Sequence, residues 1–432
     1  MSAAAWVRSA CAASLLLGAL ACDDTRYTGA QVEGETADSG QGVTSPEDTG
    51  AAPDAEAPRD GGVGPTGELE IAGPWVVAAQ GVQVFGRLTF AGDRYVITWI
   101  ANLGGRLRTA VTTVDPRDGQ VAGPLLVNPT AEDPIDAQPL SPESVWSVAA
   151  GDRVETLWTV EAGSLMARAV SPAGELLGEA RAVATGLGPH AYLRGAQPMG
   201  GGAWMVLWHD DRRTEYVYRP YAARVDLGGG PPNADHTELA TVPGNVRVGG
   251  LAPAVHPCQC DARAWIALWQ IYGSDGVGEQ RLNASLVDEQ GALLSAWSLY
   301  NADNFHLTFT GDALVGVEKQ WTAAIWDVAR GLVTLQPDLE GGAEATALGW
   351  GEDRPALTSS PEGAPVMLAW GGGALRLVPL DGVGLPGEVL LPGVAGGGQI
   401  YGYTVATGRD GYGVLIQGED RRMLLYEVRA AR

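Results

Sequence analysis

The sequence predicts an all-β fold, a β-propeller with seven blades, and composition is the first sign of it. Gly (61 residues) and Trp (14) are abundant whereas Phe (4) is scarce, a mixture that favours short strands and tight turns. Strand-like segments alternate with turns of Gly, Pro and Asp, and no stretch keeps an apolar period of 3.6 residues. Within the all-β class, a repeated unit and a displaced strand predict the seven-bladed propeller.

The repeated unit supplies the blade count. It is clearest in residues 203–226, where an apolar strand ends in Trp, a charged turn follows, and a second strand ends in Val-Asp. Recurrence at a spacing of about 50 to 60 residues indicates a modular fold. We expect the Trp side chains to pack between neighbouring blades; the alternative is a carbohydrate site. Five units end this strand at Trp99, Trp158, Trp208, Trp269 and Trp370, and two units without the Trp have it at residues 313–318 and 411–417.

A second marker, in the first six units, is a turn that begins with Asp or Ser and contains Gly. An Asp or Ser side chain can bond its own backbone at a turn start, and Gly accepts a positive φ, so turn chemistry explains these residues without a function. The turns fall at residues 114–119, 170–174, 225–228, 287–291, 326–331 and 380–382.

A strand is missing at one end of the domain and in excess at the other. The seventh unit ends at residues 428–430, where the other units continue into a fourth strand. Residues 72–77 (AGPWVV) resemble the fourth strand of the first unit, residues 122–127 (AGPLLV). We therefore expect the N-terminal strand to pair with the C-terminal strand and close the ring, which removes exposed sheet edges. The propeller domain is predicted to span residues 67–432.

The N-terminal residues indicate export and attachment to a membrane. Residues 1–21 contain one basic residue and an apolar run too short to cross a bilayer, which is typical of a secretory signal. Its end, Gly-Ala-Leu-Ala followed by Cys22, resembles the lipobox of bacterial lipoproteins. That resemblance implies an acylated Cys22 that holds the protein on a membrane without crossing it. The alternative is an ordinary signal with an incidental cysteine.

Residues 22–66 are predicted to form a disordered acidic tether. Asp, Glu, Gly, Ala and Thr dominate this segment, which has too few large apolar side chains to offset chain entropy. Together with the lipobox it predicts a protein of the bacterial cell envelope, lipid-anchored on the periplasmic or the outer surface. The net charge of -23 argues against nucleic acid as a partner, because binding a phosphate backbone needs a basic face.

One unit resembles a known repeat. Trp208, Asp210 and Arg212, with residues 223–226 (Ala-Arg-Val-Asp), match the W-x-D-x-R…aARvD pattern of secreted and surface-anchored bacterial propeller proteins. The other units keep the Trp strand or the turn but lose the Asp and Arg. The resemblance implies fold and location, and very little chemistry.

The charged turn of this unit is the first candidate site. His209, Asp210, Asp211 and Arg212 are predicted on the face where propellers gather their loops, and they are candidates for a ligand or cation site. The alternative is a solvated turn in which Asp210 pairs with Arg212. The remaining histidines, at positions 190, 236 and 306, are expected to stand alone.

A second candidate is the segment 256–260, which contains Cys258 and Cys260 and is expected on the same face. A disulfide is favoured because the protein is predicted to be exported. Free or mixed-disulfide thiols, and a metal or redox role, are the alternatives. Two thiols and one imidazole fall short of a four-ligand zinc site, so no metal and no cofactor are expected.

The sequence favours binding over catalysis. It contains no G-x-S-x-G, no H-E-x-x-H and no phosphate-binding Gly loop. We expect a non-catalytic binding or scaffold module for an envelope protein or glycan. One alternative is a hydrolase or lyase acting on polysaccharide with carboxylates at the mouth of the ring, and another is a purely structural envelope protein.

Overall fold

The computed structural model describes residues 69–78, 82–103, 106–127, 145–160, 163–214, 217–240, 245–255, 263–272, 280–302, 307–308, 314–317, 320–327, 331–337, 343–348, 355–360, 364–371, 374–380, 389–390, 400–418 and 421–430. Over these ranges every regular element is a β-strand and no helix occurs. The strands form seven antiparallel sheets, which are the blades of a β-propeller.

The first three blades follow one another along the chain. Blade 1 contains β2 (Val82–Ala91), β3 (Arg94–Leu103), β4 (Arg106–Val114) and β5 (Val121–Leu126). Blade 2 contains β6 (Val145–Ala150), β7 (Arg153–Val160), β8 (Ser164–Val170) and β9 (Leu176–Thr185). Blade 3 contains β10 (Tyr192–Gly200), β11 (Ala203–Asp210), β12 (Arg219–Asp226) and β13 (Thr237–Glu238).

The next three blades keep the same order. Blade 4 contains β14 (Asn245–Val255), β15 (Arg263–Tyr272), β16 (Gln280–Asp288) and β17 (Leu293–Ala302). Blade 5 contains β18 (Leu307–Thr308), β19 (Leu314–Val317), β20 (Gln320–Asp327), β21 (Gly331–Pro337) and β22 (Ala343–Ala347), with β18 and β19 both paired to β20. Blade 6 contains β23 (Ala356–Ser359), β24 (Pro365–Gly371), β25 (Ala374–Pro379) and β26 (Val389–Leu390).

Blade 7 confirms the predicted closure of the ring. Its sheet order is β1 (Leu69–Ala78), β29 (Met423–Ala430), β28 (Gly411–Gly418) and β27 (Ile400–Thr407), so the first strand of the chain is the fourth strand of the last blade. Leu69 pairs with Ala430 at one end of this ladder and Ala78 with Met423 at the other. The inner strands β2, β6, β10, β14, β19, β23 and β27 contact one another in that order, and β27 contacts β2.

The repeated Trp side chains pack between blades, as expected. Trp208 is fully buried and shares a core with residues of blade 2 that include Leu157. Trp158 packs in the same way against blade 1. Trp370 differs, because it packs against blade 7, the following blade. The strand of its unit carries one extra residue before the Trp, and a shift of one position moves a side chain to the opposite face of a sheet.

The turn marker also has the predicted geometry. The Asp226 carboxylate accepts a hydrogen bond from the backbone N–H of Gly228 at 2.6 Å, and Asp288 accepts one from Gln290 at 2.9 Å. Gly291 has φ +84°, a conformation that side chains with a Cβ rarely adopt. The Asp and Gly of this marker therefore build turns between the third and fourth strands.

Candidate ligand-binding face

The charged turn of blade 3 lies at the end of the propeller where the inner strand begins. His209 on β11 pairs with Tyr192, the first residue of the inner strand β10, and Asp210 pairs with Arg219 at the start of β12. The opposite end of the same blade is the β10–β11 hairpin, where Gly200 pairs with Ala203. The described residues 211–214 and 217–218, between β11 and β12, therefore share one face with the inter-blade connection that precedes Tyr192, and we call it the loop face.

Asp210 is the centre of a buried brace. Its carboxylate is fully buried and accepts hydrogen bonds from the Trp208 indole Nε1–H at 2.8 Å and from the Arg212 backbone N–H at 3.2 Å. The Arg212 guanidinium donates to it through Nε at 2.9 Å and also through Nη2. The guanidinium lies 3.9 Å from the centre of the Tyr221 ring on the next strand.

This geometry gives Trp208, Asp210 and Arg212 a structural role. Trp208 and Asp210 lie two residues apart on one face of β11, and Arg212 folds back from the turn to neutralise the carboxylate. A buried charge is tolerated when it is paired and its lone pairs are occupied, and both conditions hold for Asp210. The predicted pairing of Asp210 with Arg212 is confirmed. The expectation that this turn is solvated is wrong for Asp210, since the Trp208 and Tyr221 rings enclose it.

His236 completes the brace, so the expectation that it stands alone is wrong. Its Nδ1 accepts a hydrogen bond from Arg212 Nη1 at 2.6 Å, and its ring meets the Trp208 ring edge to face at 5.0 Å. Burial lowers the pKa of His236, and the nearby Arg212 charge lowers it further, which fits a neutral ring that accepts from a cation. The contact spans 24 residues of sequence, and no local pattern signals it.

His190 also has a partner, and the expectation that it stands alone is wrong. Its Nδ1 lies 2.7 Å from Oδ2 of Asp211, and its backbone N–H donates to Oδ1 of the same carboxylate at 3.3 Å. The Asp211 side chain is fully buried, whereas that of His190 is 36% exposed. A buried carboxylate fixes the orientation and tautomer of such an imidazole. His190 precedes β10 by two residues and Asp211 directly follows β11, so the hairpin register could have predicted the pair.

Three aromatic rings meet beside this pair, and we call them the aromatic trio. His209 lies 5.1 Å from Tyr192 and 5.4 Å from Tyr218, and the two Tyr rings are 5.5 Å apart between centroids. His209 is buried, and its Nδ1 accepts a hydrogen bond of 3.4 Å from the Val248 backbone N–H of the next blade. Both Tyr side chains are half-buried. The trio is therefore a fixed aromatic surface on the loop face.

A cavity of about 420 Å³ occupies the middle of the ring and is lined by residues from all seven inner edges. Hydroxyl groups contribute to its wall: Thr89 and Ser147 lie 2.9 Å apart across blades 1 and 2, and Thr358 and Thr407 lie 2.8 Å apart across blades 6 and 7. The cavity has the size of a small-molecule site.

Cys22, Cys258 and Cys260 lie outside the described residues, so their predicted lipidation and disulfide stay predictions. The strand ends that flank the second candidate are described: Val255 pairs with Arg263, and Arg263 Nη1 donates to the Met199 carbonyl beside the β10–β11 hairpin. The chain therefore leaves and re-enters the described structure at the end opposite the loop face. These flanking strand ends do not lie on the loop face, whereas residues 256–262 themselves lie outside the described residues.

No group of three or more His, Cys, Asp or Glu side chains able to hold a metal ion occurs in the part of the chain that the structure describes. No helix among those residues has the length and apolar character needed to cross a membrane.

The fold and this face define the class of the protein, a seven-bladed β-propeller with one braced, aromatic loop face. No protein-family model and no curated protein sequence matches the chain. Solved structures do resemble it. A puromycin hydrolase aligns with a TM-score of 0.50 at 14% identity, over 80% of this chain and 52% of that one.

Two further structures show similar relationships. A Mycobacterium tuberculosis puromycin-hydrolyzing peptidase aligns with a TM-score of 0.49 at 12% identity, over 81% of this chain and 54% of that one. A Penicillium chrysogenum α-L-arabinanase aligns with a TM-score of 0.46 at 13% identity, over 84% of this chain and 98% of that one. This chain thus spans about half the length of the two puromycin-cleaving proteins. At such identities the likeness shows the fold alone.

Proposed function

We propose that this protein is a non-catalytic binding module of the bacterial cell envelope, lipid-anchored through Cys22, and that its ligand is a glycan. The observation that carries the proposal is the aromatic trio. Half-buried Tyr rings offer apolar faces for the C–H surfaces of a sugar and hydroxyls for its polar edges. The backbone contact to His209 holds the trio in place, so little ordering entropy is lost on binding.

The neighbouring His190–Asp211 pair supports the same ligand class. A half-exposed imidazole held by a buried carboxylate is an oriented hydrogen-bonding group, and sugar hydroxyls can both donate to and accept from such a group. Residues 1–66 support the location, since a lipobox-like end followed by an acidic stretch with few large apolar side chains fits a domain held away from a membrane.

Glycan binding is tested with the purified full chain on an array of envelope and extracellular glycans, followed by calorimetry on each ligand found. Tyr218→Ala and Tyr192→Ala should each weaken binding by about fivefold or more, because truncating an aromatic anchor costs over about 1 kcal/mol. Tyr218→Phe and Tyr192→Phe keep the rings and should retain most of the affinity. Full binding by the Ala variants, or no glycan bound at all, would contradict the proposal.

The membrane anchor is tested separately. The wild-type chain should fractionate with membranes and incorporate a labelled fatty acid, and Cys22→Ala should do neither. Fatty-acid labelling of the Cys22→Ala variant equal to wild type would remove the anchor from the proposal.

The second candidate function is a hydrolase or lyase acting on polysaccharide, and the His190–Asp211 pair favours it. A carboxylate-bound imidazole is a common general base, and this one is partly open to solvent on the loop face. The test is whether the full chain releases new reducing ends from a polysaccharide. Release that is abolished in His190→Gln would show that the protein is an enzyme and contradict a non-catalytic role.

A further inference from the structure

A second cleft lies between blades 2 and 3, away from the aromatic trio. Its volume is about 430 Å³. The described residues that line it come from the three outer strands of blade 2 and from the turn after β12, where Leu227 and Gly228 stand. Three of these lining residues are arginines, at positions 153, 168 and 181, in a chain whose net charge is -23.

Arg181 is the unusual member of this set. Its Nη1 is buried and has no hydrogen-bond partner, and no carboxylate among the described residues lies within ion-pair distance of its guanidinium. A buried donor without an acceptor costs about 1 to 3 kcal/mol, so the fold retains an unfavourable group at this position. A ligand that supplied an acceptor would remove that cost.

The other two arginines have partners. Arg168 donates to the carbonyl of Gly178 at 3.0 Å and to that of Val127 at 3.1 Å. Arg153 forms an ion pair with Glu155, with 2.8 Å between Nε and Oε1. The cleft therefore contains one buried guanidinium N–H without an acceptor, on Arg181, beside the ion pair of Arg153 with Glu155.

Two carboxylates in the cleft, those of Glu155 and Glu179, would repel a bound anion. Glu155 is 1% exposed, and burial raises its pKa against the lowering effect of the Arg153 and Arg181 charges. Glu179 also lines the cleft. Three guanidinium groups and two carboxylates line the cleft, and the Glu155 charge is paired with Arg153. The exposed Asp226 carboxylate accepts from the Gly228 N–H at the edge of the cleft.

We propose that this cleft binds a tetrahedral oxyanion of the sulfate class, with Arg181 Nη1 and the Arg153 guanidinium as its donors. Guanidinium donors match the oxygen spacing of sulfate and phosphate groups and form charge-assisted hydrogen bonds with them. The cleft is larger than a free ion, so it has room for the sulfate group either as inorganic sulfate or as a sulfate ester on a sugar. The inference does not depend on the aromatic trio and goes beyond the proposed function.

The test is calorimetric titration of the full chain with sodium sulfate at constant ionic strength, then with a sulfated monosaccharide. We expect saturable binding to one site, weakened at least about tenfold in Arg181→Gln, since a hydrogen bond from a charged donor is lost. Glu155→Gln should tighten binding, because it removes the opposing charge. Arg117→Gln is the matched control: it removes the same charge from an exposed side chain on another turn and should leave binding unchanged.

The outcomes separate the sources of the anion and the role of the cleft. Tighter binding of the sulfated sugar than of sulfate identifies an ester as the ligand, and equal binding identifies the free ion. If Arg181→Gln fails to fold, judged by circular dichroism, the Glu155→Gln comparison decides alone. Absence of sulfate binding, equal affinity in Arg181→Gln, or weaker binding in Glu155→Gln overturns the proposal.

Discussion

Replacing Asp210 by Asn should destabilise the protein by about 3 kcal/mol. The substitution removes the charge that neutralises Arg212 while leaving the Trp208 indole and the Arg212 guanidinium in place. Breaking a buried ion pair by removing one partner costs about 3 to 5 kcal/mol. The lower end applies because the Arg212 side chain is 20% exposed and can regain some water. The measurement is urea unfolding of the full chain, followed by Trp fluorescence.

The chain supplies a matched control in Asp115. This carboxylate binds the backbone N–H, Nε and Nη2 of Arg117, which repeats the arrangement of Asp210 with Arg212. Asp115 also pairs with Arg94 at 3.2 Å, so Arg117→Gln leaves this carboxylate with a cation and should cost only about 1 kcal/mol. Arg212→Gln removes the cation that neutralises the fully buried Asp210 and should cost about 3 kcal/mol. Equal costs for the two arginine substitutions, or a cost below about 1 kcal/mol for Asp210→Asn, would refute the reasoning that burial of the pair sets its value.

Three further predictions concern pH, ring closure and the two cysteines. The Arg117 hydrogen bonds lower the pKa of Asp115 to about 2, so its contribution to stability should be present above its unfolded value of 3.8 and disappear as pH falls toward 2; Asp115→Asn should flatten that part of the acid unfolding curve. Val77→Ala in β1 should cost about 1 to 2 kcal/mol, because Val77 is buried in the core beside blade 1, whereas Val76→Ala at an exposed position should cost under about 0.5 kcal/mol; equal costs would contradict the packing of the closing strand. Thiol alkylation of the unreduced exported protein should leave Cys258 and Cys260 unlabelled, and two readily labelled thiols would remove the predicted disulfide.

Local chemistry made much of the fold predictable. The Trp strands, the Asp and Gly of the turns, and the displaced copy of a fourth strand are all short patterns, and each follows from packing or turn geometry within one unit. Trp370 shows where such a pattern misleads: one extra residue in its strand moves the ring to the other side of the blade, and alignment by the Trp alone hides the change.

The sequence predicts only part of the candidate site. His209, Asp210, Asp211 and Arg212 stand in one segment, but their histidine partners come from the connection between blades 2 and 3 and from the connection between β12 and β13. His190 arrives before β10 and His236 before β13, so their contacts depend on how the connections fold over the blade. The sequence therefore predicts the pairing of Asp210 with Arg212 but gives both histidines as isolated.

The buried brace around Asp210 and the aromatic trio have different roles. Trp208, Asp210 and Arg212 hold the turn together inside the blade. Tyr192 and Tyr218, which pack against the buried His209, are partly exposed on the loop face. Asp210 and Arg212 are buried and paired with each other, so their polar groups are already occupied and are poor candidates for ligand contacts.

The most direct test of that division measures glycan affinity and urea stability together for Tyr218→Ala and Asp210→Asn. We predict that Tyr218→Ala loses glycan affinity with stability within about 1 kcal/mol of wild type, since a half-buried surface ring contributes little to the core. Asp210→Asn should lose stability while its folded fraction keeps wild-type affinity. Loss of binding in folded Asp210→Asn, together with wild-type binding by Tyr218→Ala, would contradict the account.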